Sequence, residues 1–224
     1  MRKILLIAAI SACIPFSVFT QETKHLNEFN TVKVDGRINV ILTLGNENFA
    51  RIESTTVSVN QINTEVSNGT LLIKPSKKIK KGSSVDIYLT CSSLNAIEVG
   101  KGGRVSVQQP IIGDTLLLSA KIKTEINATV KANHVKVFAK NGGTIRMSGE
   151  TKSLEAKISS GGILSALDLK SEDADLVIGN KAVAKVDVAN SLHVKVKSFE
   201  SLTYSGQPQA KKIKTGFGSK IFKQ

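Results

Sequence analysis

Past residue 29, apolar side chains fall at every second position over long stretches. Val32 and Val34, then Ile38, Val40, Leu42 and Leu44, alternate with polar neighbours. Alternation of this kind turns one face of an extended chain to a core and the other to water, so it predicts half-buried β-strands. Asp35-Gly36 and Leu44-Gly45-Asn46 punctuate the strands as turns. Asn68-Gly69, between Glu65-Val66 and Leu71-Leu72-Ile73, is a hairpin signal, because both residues tolerate positive φ. The basic stretch from Lys74 to Lys81, with Pro75 and Gly82, predicts an exposed loop, and a strand from Val85 to Leu89 follows it. No segment sustains a helical period, and only Val57 to Ile62 leaves room for a short helix.

From residue 94 onward the alternation gains a second period, of 19 residues. Ile126, Ile145, Leu164, Val183, Leu202 and Ile221 form one aliphatic column at this step. Ala120, Ala139, Ile158, Val177 and Val196 form a second, and Leu118, Val137, Ala156, Val194 and Ile213 a third, broken only at Asp175. Gly142-Gly143 returns as Gly161-Gly162, Gly218 lies three steps after Gly161, and Leu94–Val107 with Gly102-Gly103 reads as an earlier turn. One such unit cannot bury its own apolar row. Stacked at the strand spacing of about 4.8 Å, the units bury a continuous core. The predicted fold is all-β: a right-handed parallel β-solenoid, β-helix-like, with coils of about 19 residues. A β-sandwich of hairpins is the alternative, since alternation does not separate parallel from antiparallel pairing. The small residues Ala139, Ala156 and Ala166 predict a narrow interior with no room for a cofactor. The domain spans residues 29–224, with an N-terminal β part over 29–93 and repeat coils over 94–224. Whether 29–93 is a separate sheet or the first coils stays open.

Composition adds location. Residues 1–21 begin with Arg2 and Lys3, continue through an apolar run and end before Glu22-Thr23-Lys24, which is the pattern of a secretory signal. Cleavage is expected near Thr20 or Gln21, leaving a flexible lead-in over 22–28. Ile10-Ser11-Ala12-Cys13 offers a competing reading as a lipobox, and membrane attachment is expected only through a lipidated Cys13. The expected compartment is the periplasm, the outer-membrane surface or the medium. Cys91 is the one cysteine beyond the leader, so no intramolecular disulfide is available and a buried core thiol is expected.

The chain has 31 basic and 18 acidic residues, a formal net charge of +13, which favours polyanionic partners. Aromatic residues are only 4% and Trp is absent; without stacking platforms, nucleic acid is not an expected partner. The candidate polyanion contacts are the loop residues Lys77, Lys78, Lys80 and Lys81 and the alternating Lys121, Lys123 and Lys140. For any one of them the plainer reading is a charge that keeps a strand face soluble. Catalytic and metal chemistry is not expected. His25, His134 and His193 show no ligand spacing, and neither a nucleophile elbow nor a nucleotide fingerprint occurs. Gly100-Lys101-Gly102-Gly103 reads as a tight turn, and the acidic run Glu172-Asp173-Ala174-Asp175 does not recur as calcium-binding repeats would. Asp168 and Asp187 lie one repeat apart and are expected to stack at about 5 Å, close enough to raise glycoside hydrolysis. Cross-coil pairing with Lys170 or Lys185 is the favoured reading of the two.

Val34-Asp35-Gly36-Arg37-Ile38-Asn39-Val40, opened by Phe29 to Val32, resembles the head GIN domain family of bacterial auto-transporter adhesins. The resemblance continues through Asn68-Gly69-Thr70-Leu71-Leu72-Ile73 and the Leu94-to-Val99 strand before Gly100. It closes at Leu202-Thr203-Tyr204-Ser205-Gly206-Gln207-Pro208. Several coils depart from the family's Ser/Gly-rich turns, as at Lys123-Thr124-Glu125 and Ser198-Phe199-Glu200. The resemblance implies a secreted or outer-surface β-protein with no catalytic residues to carry over. The expected function is a non-enzymatic binding module, contacting an anionic glycan or another envelope protein through an extended face. The alternative is a self-assembling envelope scaffold, a homo-oligomer using the strand Ser219 to Gln224 as its edge; a polysaccharide-processing enzyme comes third.

Overall fold

The computed structural model describes residues 20–224. Residues 1–19, which hold most of the expected secretory signal and Cys13, lie outside the described residues. Among the described residues seventeen strands form one continuous ladder, with a single short 3-10 turn at Val59–Gln61. The N-terminal strands are β1 (Thr20–His25), β2 (Thr31–Val34), β3 (Asn39–Leu44), β4 (Phe49–Ser54), β5 (Ile62–Ser67), β6 (Thr70–Pro75), β7 (Asp86–Cys91), β8 (Ala96–Val99) and β9 (Arg104–Val107). The repeat strands are β10 (Ile111–Lys121), β11 (Glu125–Lys140), β12 (Thr144–Ser159), β13 (Ile163–Gly179) and β14 (Val183–Val196). The short strands β15 (Ser201–Ser205), β16 (Ala210–Lys214) and β17 (Lys220–Lys223) complete the set.

The architecture is a parallel β-solenoid of about seven turns. β11 begins beside β9 at Glu125↔Arg104 and then runs on beside β10, so one long strand serves both flanks of a flattened coil. Its burial alternates along both halves and slips only near Asn133-His134, where the strand rounds a corner. The opposite corner is the glycine turn. There Asn141 and Gly142 take φ of 53° and 76°, and Ser160 and Gly161 repeat this with 52° and 71°. The second glycine of each pair has another cause. A Cβ on Gly143 or Gly162 would collide with the backbone carbonyl of Ala120 or Ala139 in the preceding coil.

Residues 29–93 belong to the same solenoid. The coil formed by β2 and β3 lies between β6–β7 on one side and β8–β9 on the other, all in parallel register. Antiparallel pairings, β5 with β6 and β1–β4–β7, close this end. The Asn68-Gly69 turn joins β5 to β6 with both φ values positive, 48° and 70°, as the hairpin signal requires. At the start of the described residues β1 runs to His25 against β4, and Leu26 donates its N–H to the Asn48 carbonyl.

One buried cluster runs from Phe29 to Tyr204. From β10 to β12 its columns follow the 19-residue step, after a step of 21 from β8 to β10 and from β9 to β11, and the period breaks again in β13. Between Ser165 and Asp168 β13 carries an extra residue, so Ala156 faces Leu176 rather than Asp175, and Ile158 faces Ile178 rather than Val177. Leu164 likewise faces Ala184 rather than Val183. The next coil is correspondingly short, and the columns recover at Val194 and Leu202. This slip also separates the acidic pair: Asp168 aligns with Ser148, while Asp187 aligns with Lys170 and Ser205 and accepts the Ser205 hydroxyl at 2.8 Å.

Cys91 is fully buried in the β7 row, and burial pushes its thiol up to about 11. At about pH 8 Cys91 is therefore expected to resist a water-soluble disulfide reagent in the folded protein and to react at once in denaturant. Fast labelling without denaturant would show that this end of the solenoid opens locally.

Candidate functional site: a basic groove on the turn edge

Three consecutive turns and one overhanging loop build a groove at the glycine corner. The turns are Asp35-Gly36-Arg37 between β2 and β3, Lys101-Gly102-Gly103 between β8 and β9, and Ile122-Lys123-Thr124 between β10 and β11. They lock together through backbone: Gly100 N–H donates to the Val34 carbonyl at 2.7 Å, and Gly102 N–H to the Ile122 carbonyl at 3.1 Å. The Asp35 carboxylate accepts the Lys101 N–H at 3.0 Å. The fourth side is the end of β6 with the loop that follows it, from Lys74 to Ile79 and Ser83. Ile79 is buried and anchors this loop, while Lys77 and Lys78 on the same loop stay exposed.

The groove encloses about 1180 Å³ and gathers seven cationic side chains, Arg37, Lys74, Lys77, Lys78, Lys101, Arg104 and Lys123, against two acidic ones, Asp35 and Glu125. The net of these is +5. Neither carboxylate is free: Asp35 holds the Lys101 turn, and Glu125 lies between Arg104, 3.1 Å away, and Arg146. Among the described residues no ion pair involves Arg37, Lys74, Lys77, Lys78, Lys101 or Lys123. Their ammonium and guanidinium groups converge on open space, an arrangement that attracts an extended anion rather than a small enclosed one.

Burial pushes the Glu125 carboxyl up, but the Asn127 amide and the guanidinium groups of Arg146 and Arg104 outweigh it and hold the group below its ordinary value. A depressed folded pKa means the stabilisation is complete above the ordinary carboxylate value and is lost as pH falls through the depressed one. Because water screens the open side, the expected loss on acidification below the ordinary carboxylate value is under ~1 kcal/mol. Glu125→Gln should lack this component, so urea midpoints of parent and variant should converge on acidification. Parallel curves would show that the Arg–Glu–Arg cluster adds nothing to stability.

Of the lysines singled out in the sequence, Lys77, Lys78 and Lys123 line the groove. Lys80 and Lys81 belong to the same loop beyond the Ile79 anchor and do not line it. Lys121 and Lys140 are register neighbours on the solenoid flank. Lys121 reaches Glu98 at 3.4 Å, which also receives Lys33 at 3.3 Å. Arg37, Lys74, Lys101 and Arg104 are not among the sequence candidates, although Gly36-Arg37 and Lys101-Gly102 mark Arg37 and Lys101 as turn residues. Their convergence depends on the interleaving of β2–β3 with β8–β9.

Solved structures of similar shape exist. A putative adhesin from Bacteroides fragilis superposes with a TM-score of 0.85 at 17% identity, over 94% of this chain and 99% of the other. A putative adhesin from Parabacteroides distasonis follows at 0.71 and 17%, over 93% and 98%. One from Parabacteroides merdae gives 0.65 and 16%, over 92% and 96%. At these identities the likeness speaks for the fold. No curated protein matches the chain. The sequence profile of one family matches residues 28–208, which take in every turn of the groove, and by that match the chain belongs to the family described as putative auto-transporter adhesin, head GIN domain.

Proposed function

We propose that this chain is an exported, non-enzymatic surface-binding module that holds an anionic glycan along the basic groove of its turn edge. The observation that carries the reading is the convergence of six cations without ion-pair partners among the described residues, from three stacked turns and the Lys74-to-Lys78 segment, on one open channel. Family membership supports an adhesin-like role. The amino-terminal pattern of residues 1–21 supports export. An acidic polysaccharide suits the groove because its charges repeat along a chain, as the turns repeat along the solenoid.

The test is binding of the purified exported protein to acidic and neutral glycans at low and moderate salt. Combined Lys77→Glu, Lys78→Glu and Lys123→Glu substitution is expected to weaken acidic-glycan binding roughly tenfold or more. The control, Lys80→Glu with Lys81→Glu and Lys140→Glu, changes the net charge equally outside the groove and is expected to stay within roughly twofold. Equal losses in the two variants would reduce the groove to a nonspecific field and end this reading.

A further inference from the structure

At the far end of the solenoid from the capping hairpin the surface changes character. Phe199 and Phe217 stand on the turn edge, 60% and 80% exposed, with ring centroids 5.6 Å apart in a T-shaped pair. Phe222, 52% exposed, stands on β17 between Ile221 and Lys223. Phe29, by contrast, is buried in the core. Exposed aromatic rings are uncommon on a protein surface and, when grouped, mark an interaction site.

The exposed charge of the C-terminal stretch has one sign, since Glu200 beside Phe199 is buried and accepts the Asn180 N–H and the Ser219 hydroxyl. From Gln207 to Gln224 the chain carries Lys211, Lys212, Lys214, Lys220 and Lys223 and no acidic residue. All nine ion pairs among the described residues lie between Glu22 and Lys157. Only Lys211 of these five has a close side-chain partner among the described residues, the Tyr204 hydroxyl at 3.2 Å.

Rings beside unpaired ammonium groups call for a partner with negative charge at its surface and apolar depth beneath. A second copy meeting the same surface would bring lysines against lysines. A glycan offers the charge without the depth. An anionic bilayer offers both: rings enter the boundary between headgroups and acyl chains while the ammonium groups stay among the phosphates. We infer that the surface formed by Phe199, Phe217, Phe222 and the neighbouring lysines docks on an anionic phospholipid bilayer. This surface lies apart from the basic groove and its use does not depend on the glycan reading.

The absence of Trp makes the test direct, since Phe217→Trp installs a unique fluorophore on the patch. With phosphatidylcholine vesicles containing roughly a third phosphatidylglycerol, its emission is expected to shift to the blue and the protein to sediment with the lipid. Pure phosphatidylcholine vesicles should give neither signal. Replacing all three rings, Phe199→Ser with Phe217→Ser and Phe222→Ser, is expected to lower partitioning roughly tenfold, while the groove variant Lys77→Glu, Lys78→Glu, Lys123→Glu retains it. Should the triple variant lose its urea transition, Phe217→Ser alone carries the comparison. Unshifted emission, or sedimentation indifferent to the ring substitutions, overturns the inference. Capture by polyglutamate with no vesicle binding overturns it too, in favour of an acidic protein partner.

Discussion

Leu176→Ala should lower stability by about 2–4 kcal/mol, while Asp175→Ala next to it should change stability by less than about 0.5 kcal/mol. The 19-residue step assigns the core position to Asp175, and the structure gives it to Leu176, which is fully buried against Ala156 and Val194 while Asp175 is exposed. Truncating Leu176 removes its transfer free energy and leaves a cavity between two coils that cannot close on it, since each is held by its own ladder. Asp175 sits between Glu155 and His193 on the flank, in water. Urea midpoints followed by circular dichroism decide the matter, with midpoints preferred because stacked repeats can unravel from one end. If Asp175→Ala were the costlier change, the extra residue would lie elsewhere and the columns would run unbroken.

A second large effect is expected at one glycine of a pair and not at its neighbour. Gly162→Ala should cost about 2–3 kcal/mol, because its Cβ would enter the Ala139 carbonyl and push two coils apart. Gly161→Ala has open space but a φ of +71°, so only the left-handed penalty of about 1 kcal/mol applies. Gly113→Ala has open space and no positive φ, and should be neutral or stabilising by up to about 1 kcal/mol. The order Gly162, Gly161, Gly113 in urea midpoint separates close approach from backbone conformation. A Gly161 cost equal to that of Gly162 would mean that conformation alone explains the paired glycines.

Much of this was legible in the sequence because a solenoid writes its core as a period. Ile126, Ile145 and Leu164 share an aliphatic column through register alone, and Gly142-Gly143 and Gly161-Gly162 mark the corner where they are needed. The period hid what broke it: one residue added in β13 and removed again in β14 leaves the sum of two steps unchanged, so stepping by 19 passes over Leu176, Ile178 and Ala184. The groove was half legible. Lys77, Lys78 and Lys123 stand out as basic loop and turn residues, but Arg37 and Lys101 become their neighbours only through coil order. Lys121 looked equivalent to Lys123, and the alternation that put it on a flank beside Glu98 was visible while its partner was not.

That coil order also sets a timetable for assembly. The strands β2 and β3 are made before any of their four ladder neighbours, β6, β7, β8 and β9. From β10 onward each new strand meets a finished neighbour as it appears. Val32, Val34, Val40 and Leu42 therefore wait with both backbone edges bare until residues 70–107 arrive from either side. This non-local closure is the slow step that the later coils avoid. Until it occurs, the segment from Thr31 to Leu44 is the stretch of chain most open to mispairing with another copy.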